Sequence, residues 1–320
     1  MLDEYLQQHS WVIPLMDFDL CFKLLRLFGN SGYYFRGHSD VDYALETTLD
    51  RFCKDFKRNV ESILIYEFRR RIHHYYDRRD IPETTFELLA LMQHFGVPTR
   101  LLDFTKSPWI ALYFAVRDVR KDKDAAIWAI RPHEIRQASL NRIRADDKEL
   151  LEPIMELHSP FRQFTREDLF SKFFMGDREI ILDMEPMKMN ERLTAQQGLF
   201  FVTGSSSNTF EKTLLDLLTT VKQSSMERIN VALYAATREE EKAMLEFAKK
   251  SRDLSVVKFI IPKQLRVPVV KELQSMNLTA SFLFPGVEGP AQALKEKLVP
   301  MDAMELAQYL WVIHNNANSQ

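Results

Sequence analysis

Two short runs with the same grammar constrain the fold of this 320-residue chain more than any other feature. One is Tyr33-Tyr34-Phe35-Arg36-Gly37-His38-Ser39-Asp40; the other is Gly96-Val97-Pro98-Thr99-Arg100-Leu101-Leu102-Asp103-Phe104-Thr105. Each packs apolar residues into an extended segment and releases a polar group at its end. Consecutive aromatics favour a strand, and Gly37 predicts a sharp backbone turn straight after the arginine. An arginine on a buried strand end either grips an anion with its planar fork or closes an internal pair with one of the nearby acids, such as Asp40 or Asp42.

The elements around these runs alternate. Leu20, Cys21, Leu24, Leu25 and Phe28 form a helical stripe that Gly29-Asn30 ends. The spacing predicts a long helix from near Asn59 to Tyr76, with Val60, Ile63, Leu64, Phe68, Ile72 and Tyr75 on one face. Thr84 and Glu87 make a capping box for a helix that stops at Gly96. Ser107-Pro108 opens a helix that is apolar nearly all round and is therefore expected to be buried. Strands are expected at Ala125–Ile130, Glu179–Leu182, Leu199–Val202, Asn230–Tyr234 and Val256–Ile261, and helices at Asn208–Val221 and Thr237–Lys250. Residues 137 to 175 read as helices or a surface excursion. The fold class is α+β: a mixed or antiparallel sheet flanked by helices. A helical lead-in occupies 1–30, the main domain 31–300, and a C-terminal helix and tail 301–320. Within that tail, Met304 to Val312 could dock a partner.

A net charge of −2 argues against a chain that coats nucleic acid, though not against a local basic face. The two cysteines, Cys21 and Cys53, form no disulfide framework or zinc motif, so a reducing cytoplasm is the expected home. Neither a signal peptide nor a membrane-spanning run is legible. The sequence holds no P-loop, dinucleotide fingerprint, H-E-x-x-H or G-x-S-x-G motif, and no metal site is expected. Adjacent His73 and His74 diverge around a helix. A basic and aromatic stretch contains Lys54, Lys57, Arg58, Arg69, Arg70, Arg71, Arg78 and Arg79 among His73, His74, Tyr75 and Tyr76. Such a stretch can bind single-stranded nucleic acid, or it can be an ordinary solvated helix face. Arg69, Arg70, Arg71, His74 and Arg78 are its candidate contacts. A third polar strand end follows Glu191, where Gln196-Gln197-Gly198 precedes Leu199-Phe200-Phe201.

These segments resemble a known family. YYFRGHSDVDYALETTLDR is similar to the opening signature of the FRG domain, named for Phe-Arg-Gly. LMQHFGVPTRLLDFTKSPWIALYFAV resembles its second block, and AQQGLFFV and ASFLFPGVEGPAQAL its third and fourth, over residues 31 to 297. FRG domains are associated with bacterial conflict systems and look like distant relatives of ADP-ribosyltransferases. The resemblance implies an ADP-ribosyltransferase-like sheet and an NAD-consuming toxin or anti-phage effector. It also implies a macromolecular target, RNA (mRNA) or protein, and a neutralising antitoxin partner. A non-catalytic nucleotide- or nucleic-acid-binding FRG module is the alternative.

By the same resemblance, Arg36, Gly37, His38, Asp103, Thr105, Tyr113 and Phe114 surround NAD. Asp103-Phe104-Thr105 takes the place of the Ser-Thr-Ser that ends the second strand in the arginine type. The third motif of those enzymes carries a glutamate. Here Gln196-Gln197 stands in that position, with Glu191 a turn earlier, so Arg36, Thr105, Gln196 and Glu191 are the catalytic candidates. His94 and Arg100 rank second; His94 ends a helix, where an imidazolium would complement the dipole.

Overall fold

The computed structural model describes residues 2–8, 12–15, 17–55, 57–77, 79–119, 121–146, 170, 174, 176–220, 254–298, 304, 307–308 and 310–311. Seven strands form one sheet: β1 (Val12–Pro14), β2 (Tyr34–His38), β3 (Leu101–Thr105), β4 (Ala125–Ile130), β5 (Ile181–Met184), β6 (Gly198–Thr203) and β7 (Val256–Ile261). Their spatial order is β1-β7-β4-β2-β3-β6-β5. β1 runs parallel to β7, and every other neighbouring pair is antiparallel, so the sheet is mixed.

The sheet is almost divided. β2 pairs with β4 along its whole length, from Tyr34↔Ile130 to His38↔Ala126, and β3 pairs with β6 from Leu101↔Val202 to Thr105↔Gly198. Between β2 and β3 there is one rung, Phe35↔Thr105. Two ladders thus meet at a seam in mid-sheet, where backbone and side-chain polar groups must find partners other than a strand.

Helices cover both faces of this sheet, which is why β4, β6 and β7 read as near-continuous apolar runs. One core cluster joins the strands to Phe18–Gly29, Pro108–Val116, Phe210–Thr220 and Arg266–Ser275. A second gathers Thr85–His94 and Pro132–Asp146 around Leu101, Leu182, Phe200 and Val202. The helix Pro108–Val116 is buried, as its all-round apolar sequence requires, and the Ser107 hydroxyl caps it by accepting from the Ile110 N–H.

Gly37 owes its identity to that helix. β2 runs straight through it, and the glycines with positive φ are Gly32, Gly96 and Gly286. A Cβ on Gly37 would lie 2.0 Å from the Ala111 carbonyl oxygen and 2.7 Å from the Ala115 nitrogen. The turn expected after Arg36 is therefore absent, and glycine stands there so that strand and helix backbones can touch. Gly96, with φ +79°, does end its helix in the left-handed conformation.

The expected apolar face over Asn59 to Tyr76 is also corrected. The helix is Lys57–Ile72, Ile63 and Tyr75 are exposed, and two of its three buried residues are Lys57 and Glu61. Lys57 Nζ donates to Asp50 Oδ1 at 2.6 Å, and Glu61 accepts from Arg100. Part of the expected face holds, since Leu64 and Phe68 pack against the second core cluster and Ile72 is buried, but buried ion pairs anchor the helix beside it. Thr84 caps as expected, but the box with both halves present is Thr47 with Asp50. The strand expected at Glu179–Leu182 begins two residues later. The expected elements at 230–234 and 237–250 lie outside the described residues. Met304, Leu310 and Trp311 are exposed. No helix among the described residues is long and apolar enough to cross a membrane.

Candidate active site at the sheet seam

A cleft of about 930 Å³ opens over the seam, within the range of small-molecule sites. Arg36 projects into it from β2, with its side chain 19% exposed. Its Nη1 donates to the Asp103 carbonyl at 2.6 Å and lies 3.8 Å from the Asp103 carboxylate. Its Nε donates to His38 Nε2 at 3.0 Å, two residues along the strand and therefore on the same face. His38 Nδ1 faces the Tyr43 carbonyl at 3.2 Å.

These contacts assign the tautomer. Because Nε2 accepts from an arginine, the ring proton sits on Nδ1 and donates to Tyr43. Burial, reinforced by the Arg36 charge, pulls the His38 pKa down to about 3, so the ring is neutral at physiological pH. His38 is thus a fixed acceptor that sets the plane of the Arg36 fork. The internal pair considered from the sequence does not form with either acid named there: Asp40 lies 3.4 Å from Lys121 Nζ, and Asp42 2.7 Å from Lys123 Nζ.

The other rim is a knot of backbone and amide contacts. The Thr105 hydroxyl donates to the Gln196 carbonyl at 2.7 Å and accepts from the Ser107 N–H at 3.1 Å. Gln197, with φ +45°, offers its carbonyl to the Lys106 N–H at 3.0 Å. Gln196 Nε2 donates to the Leu283 carbonyl at 3.0 Å, which ties in the helix Ala280–Leu283. The Phe284 ring that follows lies beneath the guanidinium of Arg192 at 4.8 Å and that of Arg117 at 5.1 Å.

The seam gathers Arg36, Gly37, His38, Asp103, Thr105, Phe114 and Gln196 into one cleft. It leaves out two residues that the resemblance suggested. Tyr113 turns into the core and donates its hydroxyl to Glu296 Oε1 at 2.5 Å. Glu191 is exposed in the first turn of the helix Glu191–Ala195, and it is Asn190, Arg192 and Leu193 from this segment that border the cleft.

The basic stretch lies apart from the cleft lining. Arg70 and Arg71 pair with Glu67, Arg69 Nη2 reaches Thr85 Oγ1 at 3.4 Å, and the His74 ring lies 4.0 Å from that of His73 between centroids, tilted by 41°. Arg78 is outside the described residues. Arg100 is structural, fully buried against Glu61. His94 does border the cleft, but burial and the Arg192 charge lower its pKa, so it is a poor match for the dipole-stabilised imidazolium expected there. Among the described residues, no cluster of three metal-ligating side chains occurs.

Sequence reading passed over Arg51, Glu46 and Gln93, all of which border the cleft. Arg51 sits in the helix Thr48–Phe52, its Nη1 donates to the Glu46 carbonyl at 2.8 Å, and its charge lowers the pKa of Arg36. The available signal was the Thr47–Asp50 cap, which starts a helix that points its basic last turn at the strand. β2, the Arg51 helix, β3 and the helix beneath Gly37 all fall in one continuous stretch of chain. Residues 31–124 match the FRG domain. No curated protein and no solved structure matches the chain. The FRG match takes in the Arg36 side of the cleft and ends before β4, so Arg192 and Gln196 contribute from beyond the matched residues.

Proposed function

We propose that the cleft binds NAD and that the protein transfers its ADP-ribose to a macromolecular target. The observation that carries this reading is the pair of arginines, Arg36 and Arg51. Both border one cleft, where burial lowers the Arg36 pKa; Asp103 opposes that lowering and the Arg51 charge adds to it. Neither is closely neutralised: Asp103 stays 3.8 Å from Arg36, and Arg51 holds a backbone carbonyl. Like charges kept together call for an anion, and a diphosphate carries two negative charges matched to two planar forks. The FRG match supports placing this chemistry in a toxin or anti-phage effector.

Cleavage of the nicotinamide–ribose bond sends the bonding electron pair to nicotinamide and builds oxocarbenium-like charge on the sugar, as in glycoside cleavage. A hydroxyl or amine of the target then attacks the anomeric carbon and loses its proton. Arg36, oriented by His38, would hold the diphosphate, Phe114 would supply an apolar wall, and Thr105 would keep the two strand ends in register. RNA is favoured over protein as the target by an aromatic path that leaves the cleft. His94 contacts the half-exposed Phe95 at 4.9 Å between ring centroids, and Phe95 contacts Tyr76 at 6.2 Å. Such faces stack on unpaired bases.

Purified protein, labelled NAD and separate pools of RNA, DNA and protein test the reading. Nicotinamide release with label on RNA is expected, and Arg36→Ala should abolish it while leaving the melting temperature in place. NAD or RNA binding without turnover would select the non-catalytic module instead. Growth arrest on expression, relieved by Arg36→Ala, is the expected cellular counterpart.

A further inference from the structure

We propose that Glu46 supplies the carboxylate that faces the reacting ribose, a role that Gln196 lacks the charge to fill. The inference rests on the transferase reading and identifies its charge-stabilising residue. Three carboxylates border the cleft: Asp42, Glu46 and Asp103. Asp42 is bound by Lys123 at 2.7 Å and its side chain is 68% exposed. Asp103 leans towards Arg36 and is 58% exposed. Glu46 is half-buried, and its carboxylate has no hydrogen bond or ion pair among the described residues.

The segment that displays Glu46 is fixed on all sides. Its own N–H donates to the Ala44 carbonyl at 3.0 Å, and its carbonyl accepts from Arg51 Nη1. Leu45 on one side is fully buried, with its N–H held by Glu211 Oε2 at 3.1 Å; Thr47 on the other is the buried cap of the next helix. A side chain between two anchored neighbours is preorganised without being consumed by a partner.

A second unsatisfied group borders the same cleft. Gln93 Nε2 is buried and has no partner among the described residues, while its Oε1 accepts from the Thr99 hydroxyl. The Thr99 carbonyl in turn holds the Thr48 hydroxyl at 3.2 Å and the Leu49 N–H at 3.0 Å, which links Gln93 to the Glu46 segment. A buried donor without a partner is rare in a native protein and asks for a ligand. A ribose diol suits the Glu46 carboxylate, because each hydroxyl can donate to it.

In the proposed step the anomeric carbon–nitrogen bond breaks and its electron pair leaves on nicotinamide. The Glu46 carboxylate offsets the positive charge on the sugar. The target oxygen bonds to the anomeric carbon, and its proton passes to Glu46 and then to water.

The test measures nicotinamide release and NAD affinity for wild type, Glu46→Gln and Asp122→Asn, whose carboxylate pairs with Lys263 outside the cleft. Glu46→Gln is expected to lower kcat about 100-fold, the scale of losing one preorganised electrostatic contact. Its NAD affinity should stay within a few-fold of wild type, and Asp122→Asn should turn over normally. Should Glu46→Gln melt early, Glu46→Asp serves in its place, with kcat expected to fall as the carboxylate retreats by a methylene. A Glu46 variant that folds and retains a wild-type kcat overturns the assignment while leaving the transferase reading intact. A wild type that neither binds nor cleaves NAD removes both.

Discussion

Arg36, in the middle of β2, and Arg100, just before β3, meet their carboxylates in opposite ways. Arg100 grips Glu61 through Nε at 2.8 and 2.9 Å and through Nη2, and spends Nη1 on the Phe174 and Thr203 carbonyls. Its side chain is 3% exposed and that of Glu61 is 0%. Arg36 stays 3.8 Å from an exposed Asp103, and its own exposed edge faces the cleft. The first pair is closed, with donors and acceptors matched internally. The second is held in place by a neutral histidine and one backbone carbonyl, and its charge remains available. The same two residue types therefore build a strut in one place and a binding group in the other; what separates them is where the sheet is continuous and where it parts.

Breaking the closed pair should give the largest effect. Glu61→Gln leaves a buried guanidinium without its counter-charge, and chemical denaturation should show a loss of about 3–5 kcal/mol. Gly37→Ala should come next, because its Cβ meets helix backbone rather than a yielding side chain. A loss of about 3 kcal/mol, near the top of the overpacking range, is expected in the same measurement.

The His38 tether gives a pH signature. Its folded pKa of about 3 lies below the ordinary 6.5, so the unfolded chain binds the extra proton between those values. Stability from this site is complete above about pH 6.5 and falls with acidification by about 1.4 kcal/mol per pH unit towards pH 3. His38→Gln, which keeps an acceptor for Arg36, should flatten that part of the profile; an unchanged acid slope would contradict the neutral-tether assignment. Asp103→Asn should be the mildest change. Solvent screens this half-exposed pair, and stability should move by no more than about 0.5 kcal/mol. A loss there as large as that of Glu61→Gln would erase the distinction between the two arginines.

Much of the frame was legible. The apolar runs of β4, β6 and β7 and the Ser107-Pro108 helix start read directly because burial on both faces and capping leave local patterns. The α+β mixed sheet and the FRG match over residues 31–124 agree with the sequence reading, although the resemblance had extended to residue 297. The helix Lys57–Ile72 was legible in part: Leu64, Phe68 and Ile72 pack as their spacing requires, but Lys57 and Glu61 look like surface residues until Asp50 and Arg100 are placed beside them. Within the site, Arg36 and Asp103 lie mid-strand and Thr105 and Gln196 at or beside strand ends, and all four could be named from short strand-like runs. Arg51 and Glu46 were invisible because their direction depends on a cap and two distant anchors.

Local sequence determined most of the segments that become strands and helices, and that an arginine would stand on one of the strands, since propensity, capping and alternation act over a few residues. Only tertiary structure decided that Gly37 serves contact rather than turning, that Glu191 does not line the cleft, and that Arg51 borders the same cleft as Arg36. Those outcomes depend on how the two ladders meet at the single Phe35↔Thr105 rung, and strand pairing between residues 70 positions apart leaves no mark in any short window.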